Sequence, residues 1–294
     1  MILFSIIIPV YNGEDTIIKT IKSCLKQTET NFEVIVVDNA SSDRTQEFVK
    51  SIQDIRIKYF FLEQKGRSNA RNYGIHVSQG KYIQFLDADD QIDEKKLYKA
   101  KKIFSQDEGI EAVQCGTIYF KNKTIIKKVL PYKGKDFRDQ MYINNLIPIN
   151  SIIIKREICK EFPIDYEYCE DWIFWIETLK NRNIQRDYNY YGSKVFIHHK
   201  NTMSDRVNMH KYHLIVLLKY YNEKLIFSKR ILRFTTTIKL YVEYILSGNT
   251  SIMIDNLTSQ FKFLNLLRRI NEISVINSFF KKIYKFFEKE NLYS

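Results

Sequence analysis

Residues 3–10 read Leu-Phe-Ser-Ile-Ile-Ile-Pro-Val, with one polar side chain, and an apolar run of this length predicts a buried strand. Ile17, Ile18, Ile21, Cys24 and Leu25 then recur at helical spacing on one face. The alternation repeats: Glu33 to Val37 predicts a second strand, and Ser42-Asp43 can cap a helix running to Gln53. Ile57 to Leu62 predicts a third strand, Ser68 to Val77 a helix, and Lys81 to Leu86 a fourth strand. A β-α-β-α order of this kind predicts an α/β fold with a mostly parallel central sheet and helices on both faces.

After Asp93 the pattern changes. A helix is predicted from Asp93 to Phe104, followed by strands at Ala112–Phe120, Thr124–Leu130 and Ile147–Ile154. Glu170 to Leu179 has helical periodicity, and Ser193 to His198 reads as a strand. From Asp205 onward the spacing is mainly helical, as in Phe279, Phe280, Ile283, Phe286 and Phe287. The expected domains are therefore residues 1–205, catalytic, and 206–294, a helical C-terminal appendage.

The length, 294 residues, suffices for one large core plus that appendage, and nine Gly and four Pro leave little room for flexible linkers. The four cysteines, Cys24, Cys115, Cys159 and Cys169, form no C-x-x-C pair, so neither a zinc site nor a redox motif is indicated. The apolar N-terminus lacks a basic leader and is interrupted by Pro9, so it reads as a strand and not as a targeting segment. No apolar run reaches the ~18 residues of a membrane span, so no transmembrane helix is expected. The net charge is +12, and residues 205–294 carry 15 Lys and Arg against 7 Asp and Glu. Such an excess suits an anionic substrate, an anionic membrane surface or nucleic acid.

The chemistry concentrates at strand ends. Asp87-Ala88-Asp89-Asp90 follows the fourth strand. Carboxylates crowded at the end of a buried strand repel one another, and a divalent cation with hard oxygen ligands relieves that repulsion. At the carboxyl edge of an open sheet such a cation can grip a diphosphate. Asp38 ends the second strand, and Glu170-Asp171 opens a helix, where its charge favours the positive end of the dipole.

These segments together resemble glycosyltransferase family 2. The resemblance rests on Pro9-Val-Tyr11-Asn12, on Val37-Asp38-Asn39 with Ser41 and Asp43, and on Gly66 followed by Ala70-Arg71-Asn72 and Gly74. It continues through Asp87-x-Asp89, Glu170-Asp171-Trp172 and His199-x-x-Thr202-Met203-Ser204, and covers roughly residues 1–205. It implies a GT-A fold that binds a nucleoside-diphosphate sugar, with a UDP-sugar the favoured donor, and transfer with inversion to a hydroxyl of a glycan or lipid-linked acceptor. Pro9 and Tyr11 would line the base pocket, Asp38 would accept from the uracil N–H, and Gln64 and Arg71 would reach the nucleotide. Asp87 would hold the ribose or the water shell of the metal. Asp89 would ligate Mn²⁺ or Mg²⁺, joined by His199, whereas His198 would face away if the strand continues. Asp171 would be the general base, with Glu170 orienting the site and Trp172 forming an acceptor wall, joined by Trp175 unless that residue packs in the core. Asp90 reads as a helix cap.

The chain departs from the family pattern at Asn39, Ala40, Gln64 and Glu177, which leaves donor and acceptor contacts open. The setting implied is synthesis of a bacterial surface glycan on the cytoplasmic side; the basic, aromatic-rich C-terminal helices either lie on the inner face of the plasma membrane, or pack on the catalytic domain or mediate a homo-oligomer. No nucleic-acid partner is expected. The competing readings are a metal-dependent phosphohydrolase, which would need neither Arg71 nor His199, and a basic nucleic-acid-binding protein. A nicotinamide enzyme is disfavoured, because no G-x-G-x-x-G follows the first strand.

Overall fold

The computed structural model of the chain describes residues 2–198, 205–246, 251–261 and 264–266. In order, the first elements are β1 (Phe4–Val10), α1 (Ile17–Leu25), β2 (Phe32–Asp38), α2 (Thr45–Lys50), β3 (Ile57–Phe61), α3 (Arg67–Val77) and β4 (Tyr82–Phe85). Next come β5 (Gln91–Ile92), α4 (Lys96–Phe104), β6 (Ala112–Lys121), β7 (Thr124–Val129), α5 (Phe137–Met141) and β8 (Ile152–Lys155). The last are α6 (Glu170–Leu179), β9 (Ile184–Ile197), α7 (Arg206–Lys219), α8 (Phe227–Leu246) and α9 (Ile252–Thr258).

The strands among the described residues form one sheet in the order β3-β2-β1-β4-β8-β6-β9-β5, with β7 on β6. β3, β2, β1 and β4 run parallel, β8 is antiparallel to β4 and β6, and β6 and β9 are parallel. The inner strands are buried on both faces, which is why β1 and β2 read as continuous apolar runs. One face packs Phe4, Ile6, Ile8, Val34 and Val36 with Ile17 and Ile21 of α1 and Leu97 and Phe104 of α4. Behind the other face, a Cβ at Gly74 would lie 2.4 Å from Ile7 Cγ2, so the missing side chain lets α3 approach β1.

Chain order reverses at β1: β2 and β3 lie on one side, and β4 on the other. Open α/β sheets bind ligands in the crevice at such a switch point. Pairing of β1 with β4 runs only from Phe4 to Ile7, whereas pairing with β2 continues to Val10. Pro9, which has no N–H to donate, therefore lies beyond the β4 pairing, where β1 and β4 have parted.

The chain divides into two compact units, residues 1–135 with 145–201, and residues 136–144 with 202–294. The expected boundary at 205 thus needs amending, because residues 136–144 belong with the C-terminal helices. Within that second unit His213 Nε2 lies 2.9 Å from the Ile143 carbonyl, and burial holds the His213 imidazole down to about 4. Arg233, buried, donates to the carbonyls of Tyr220 and Glu223 beyond the end of α7. The stretch at 279–287 lies outside the described residues.

Candidate active site

Three loops meet at the carboxyl edge of the parallel strands. The loops after β1 and β2 are laced together: Asn12 N donates to Ser41 Oγ at 2.8 Å, Ser42 N to Asn12 Oδ1 at 2.9 Å, and Gly13 N to Thr45 Oγ1 at 2.8 Å. Asp38 is 1% exposed; its Oδ1 accepts from Ser41 N at 2.8 Å and its Oδ2 from the Tyr59 hydroxyl at 2.7 Å. Each oxygen keeps a second lone pair. Tyr11 beside it is 50% exposed, with Lys65 Nζ 4.9 Å from the ring centroid. A flat ring under a cation next to a fixed carboxylate suits a nucleobase.

Ala40 holds φ at 60° in this loop. A side chain costs about 1–2 kcal/mol in that region, and glycine gives back about 0.5–1 kcal/mol of it through unfolded-chain entropy. Ala40→Gly is therefore expected to stabilise the fold by about 0.5–1 kcal/mol. Urea unfolding of the two proteins tests this, and a lowered midpoint would contradict it.

Arg71 is at the centre of the site. It is 1% exposed, with NH1 2.9 Å from Glu170 Oε1 and NH2 2.8 Å from Asp87 Oδ1. Its guanidinium lies 5.1 Å from the ring centre of Phe162, which stacks on Phe174 at 3.8 Å. Arg67 NH1 also reaches Glu170 Oε1, at 3.2 Å. One planar fork thus joins the loop after β4 to the start of α6. Cys169, at φ 60°, turns the chain into that helix.

Asp171 follows Glu170. Its Oδ2 accepts from Asn145 Nδ2 at 2.9 Å and its Oδ1 from the Trp172 amide at 2.8 Å. Burial pushes its carboxyl up to about 6, helped by the charge of Glu170 and opposed by Arg71 and the Asn145 bond. Such a group is a stronger base than an ordinary carboxylate, yet is charged roughly ten to one at pH 7. Asp89 Oδ2 lies 2.8 Å from His198 Nε2, and burial with the nearby Asp87 charge raises its carboxyl, against the pull of His198.

The profile of Glycosyl transferase family 2 matches residues 5–162, more than half of the chain. The chain belongs to this family. Two relatives are the UDP-Glc:alpha-D-GlcNAc-diphosphoundecaprenol beta-1,3-glucosyltransferases WfgD and WfaP of Escherichia coli. WfgD is 33% identical over 188 residues, 62% of this chain and 72% of that protein. WfaP is 30% identical over 242 residues, 75% of this chain and 93% of that protein. The fold also matches S. aureus TarS 1-349 in complex with UDP-GlcNAc, with a TM-score of 0.68 at 18% identity over 100% of this chain and 93% of that one. A mannosyltransferase from Pyrobaculum calidifontis, in complex with GDP-Man and Mn2+, matches with a TM-score of 0.58 at 16% identity over 90% of this chain and 83% of that one. This family 2 glycosyltransferase has the GT-A arrangement, as its motifs imply.

The structure brings Pro9, Tyr11 and Asp38 to one edge loop cluster, and Arg71, Asp87 and Glu170 to one ion-pair network, with Asp171 next to Glu170 in the chain and bonded to Asn145. Gln64 is an exposed bend residue between β3 and α3. Several expectations need correction. Arg71, expected to reach the nucleotide, is buried between two carboxylates with its guanidinium 5.1 Å from the Phe162 ring centre. Trp172 is 2% exposed and presents no acceptor wall, and Trp175, 1% exposed, takes the core-packing alternative; the apolar face of α6 turns both inward. Asp90 caps no helix; it is buried, with β5 between it and α4. His198 does face Asp89: the strand stops at Ile197, so period-two alternation no longer applies to the next residue. His199 lies outside the described residues. Tyr59, Arg67 and Asn145 escaped the sequence reading, since nothing in spacing separates Asn145 from Asn144.

Proposed function

We propose that this glycosyltransferase uses a UDP-sugar and a divalent cation, and transfers the sugar with inversion to a hydroxyl of a lipid-linked saccharide. The observation that carries the reading is the Arg71 bridge, which ties Asp87 on the donor side to Glu170, next to Asp171. Asp171 takes the proton of the acceptor hydroxyl as its oxygen attacks the anomeric carbon. The bond from that carbon to the diphosphate breaks on the opposite face, and the nucleoside diphosphate leaves with the electron pair.

The residues present fit a cation. Asp89 and Asp87 are hard oxygen donors in one loop, and burial together with the Asp87 charge raises Asp89. No group of three ligating side chains occurs among the described residues. Asp89 would hold the cation, with His198 or His199 beside it, and it would neutralise charge on the departing diphosphate. The printed donors of the two Escherichia coli relatives favour a UDP-sugar, and their diphosphoundecaprenol acceptors favour a lipid-linked saccharide. No helix among the described residues is long and apolar enough to cross a membrane.

Calorimetric titration of UDP, GDP and dTDP, with Mn²⁺ and again with EDTA, tests this reading. UDP is expected to bind best, and at least about 10-fold more weakly in EDTA. Preference for GDP or dTDP would replace the donor, and equal binding in EDTA would remove the cation.

A further inference from the structure

Asp90 and Asn150 lie behind the donor site and are not part of it. Asp90 Oδ1 accepts from the Phe196 amide of β9 at 3.0 Å, and its Oδ2 from Asn150 Nδ2 at 3.0 Å. Its own amide donates to the Asp87 carbonyl at 3.0 Å, and the Thr20 hydroxyl is within 2.8 Å of the carbonyls of both Ala88 and Asp90. Both ends of the loop that carries Asp89 are thus fastened. Asn150 is fully buried, and its carbonyl accepts from Gln84 of β4 at 3.1 Å, from Ser193 of β9 at 2.7 Å and from Lys96 of α4. One residue therefore holds the strand that leads into Asp87, the helix that follows Asp90, and the strand that ends beside His198.

Burying an amide, a carboxylate and an ammonium together is costly unless each is bonded. Apolar side chains would fill the same space, so their presence asks for a reason beyond packing. The geometry supplies one. Asp89 and His198 lie on separate segments, joined at 2.8 Å, and the Asp90 carboxylate bridges those segments from behind. A shift of β9 relative to the loop moves His198 away from Asp89.

We infer that Asp90 and Asn150 are positioning residues that hold Asp89 and the end of β9 in register for the cation and diphosphate. This inference rests on the donor site proposed above. It extends it to two side chains that need not touch donor, cation or acceptor.

The test uses the full chain, with Mn²⁺ binding in saturating UDP read by the paramagnetic resonance of free Mn²⁺. Asp90→Asn turns a donor towards Asn150 Nδ2, and the contact survives only if the Asn150 amide turns over to present Oδ1, which has no partner in the wild type. The substitution is expected to weaken Mn²⁺ binding at least about 10-fold, as loss of a group supporting metal ligands does. UDP affinity in EDTA is expected to stay unchanged. The exchange D90N/N150D restores one donor and one acceptor, and keeps an acceptor for the Phe196 amide. It is expected to return Mn²⁺ affinity to within about threefold of the wild type, because coupled neighbours compensate. A folded Asp90→Asn protein that binds Mn²⁺ like the wild type would overturn the inference, as would a folded exchange variant that stays weak. If Asp90→Asn loses its cooperative melting transition, the exchange variant decides alone. Wild-type protein whose UDP binding ignores Mn²⁺ would overturn the donor-site reading itself, and this inference with it.

Discussion

Asp171→Asn is expected to lower the rate of sugar transfer by about 10²–10⁴-fold, the usual contribution of a positioned general base, while UDP binding persists. The amide cannot take the proton of the acceptor hydroxyl, but Asp171 is not among the residues proposed to meet the nucleotide. Loss of UDP affinity in step with activity would contradict the assignment. The pH profile supplies a second reading. Burial raises the Asp171 carboxyl to about 6. The charged form is the base, so kcat is expected to fall as pH drops through about 6, by about tenfold per unit below it. A profile flat down to pH 5 would place the base elsewhere. The same shift acts on stability in the opposite sense. A carboxyl that holds its proton more tightly when folded disfavours folding above pH 6, and this disappears as pH falls towards 4.

Arg71→Met is expected to destabilise the first unit by about 3–5 kcal/mol, the cost of leaving buried charge unpaired. Glu170 loses its buried partner and keeps only the half-exposed Arg67, while Asp87 loses its ion pair. The loss is a large share of the ~5–15 kcal/mol that holds a domain together. Urea unfolding gives the figure. The pair R71M/E170Q is expected to recover part of it, because the glutamine removes the stranded charge. A double variant no more stable than R71M would show that the cost lies in lost packing against Phe162 and not in charge. Arg71→Lys is expected to retain less activity than stability, since a single ammonium cannot span Glu170 and Asp87 as the fork does.

The elements that proved legible are those with one dominant signal. β1 and β2 are buried on both faces and read as unbroken apolar runs, and α6 begins and ends where the periodicity of Glu170–Leu179 does. β9 begins nine residues before the expected Ser193, at Ile184; Gln185, Asp187 and Asn189 fall at period two on one face, but Arg186 among the residues of the other face leaves no apolar run there. Its partner β6 shifts register on both sides of Gly116, so alternation is lost along half the pair. The expected strand at Ile147–Ile154 shrinks to Ile152–Lys155, since Pro148 and the buried Asn150 open it with a 3₁₀ turn. In the site, residue types announced the carboxylates but not their partners. A sequence shows that Arg71 is basic; only the packing of Phe162 and Phe174 shows that it cannot leave the core.

Residues 136–144 lie in the C-terminal unit, so the chain passes between the units three times, at 135/136, 144/145 and 201/202. One genetic crossover near residue 201 cannot trade that unit for another. It would leave behind α5, whose Phe137 and Met141 are buried, together with the Ile143 carbonyl that meets His213. A lineage that acquires a new C-terminal unit must therefore rewrite a stretch in the middle of its catalytic sequence as well. Gradual, paired substitution is then an easier route to divergence than exchange of modules.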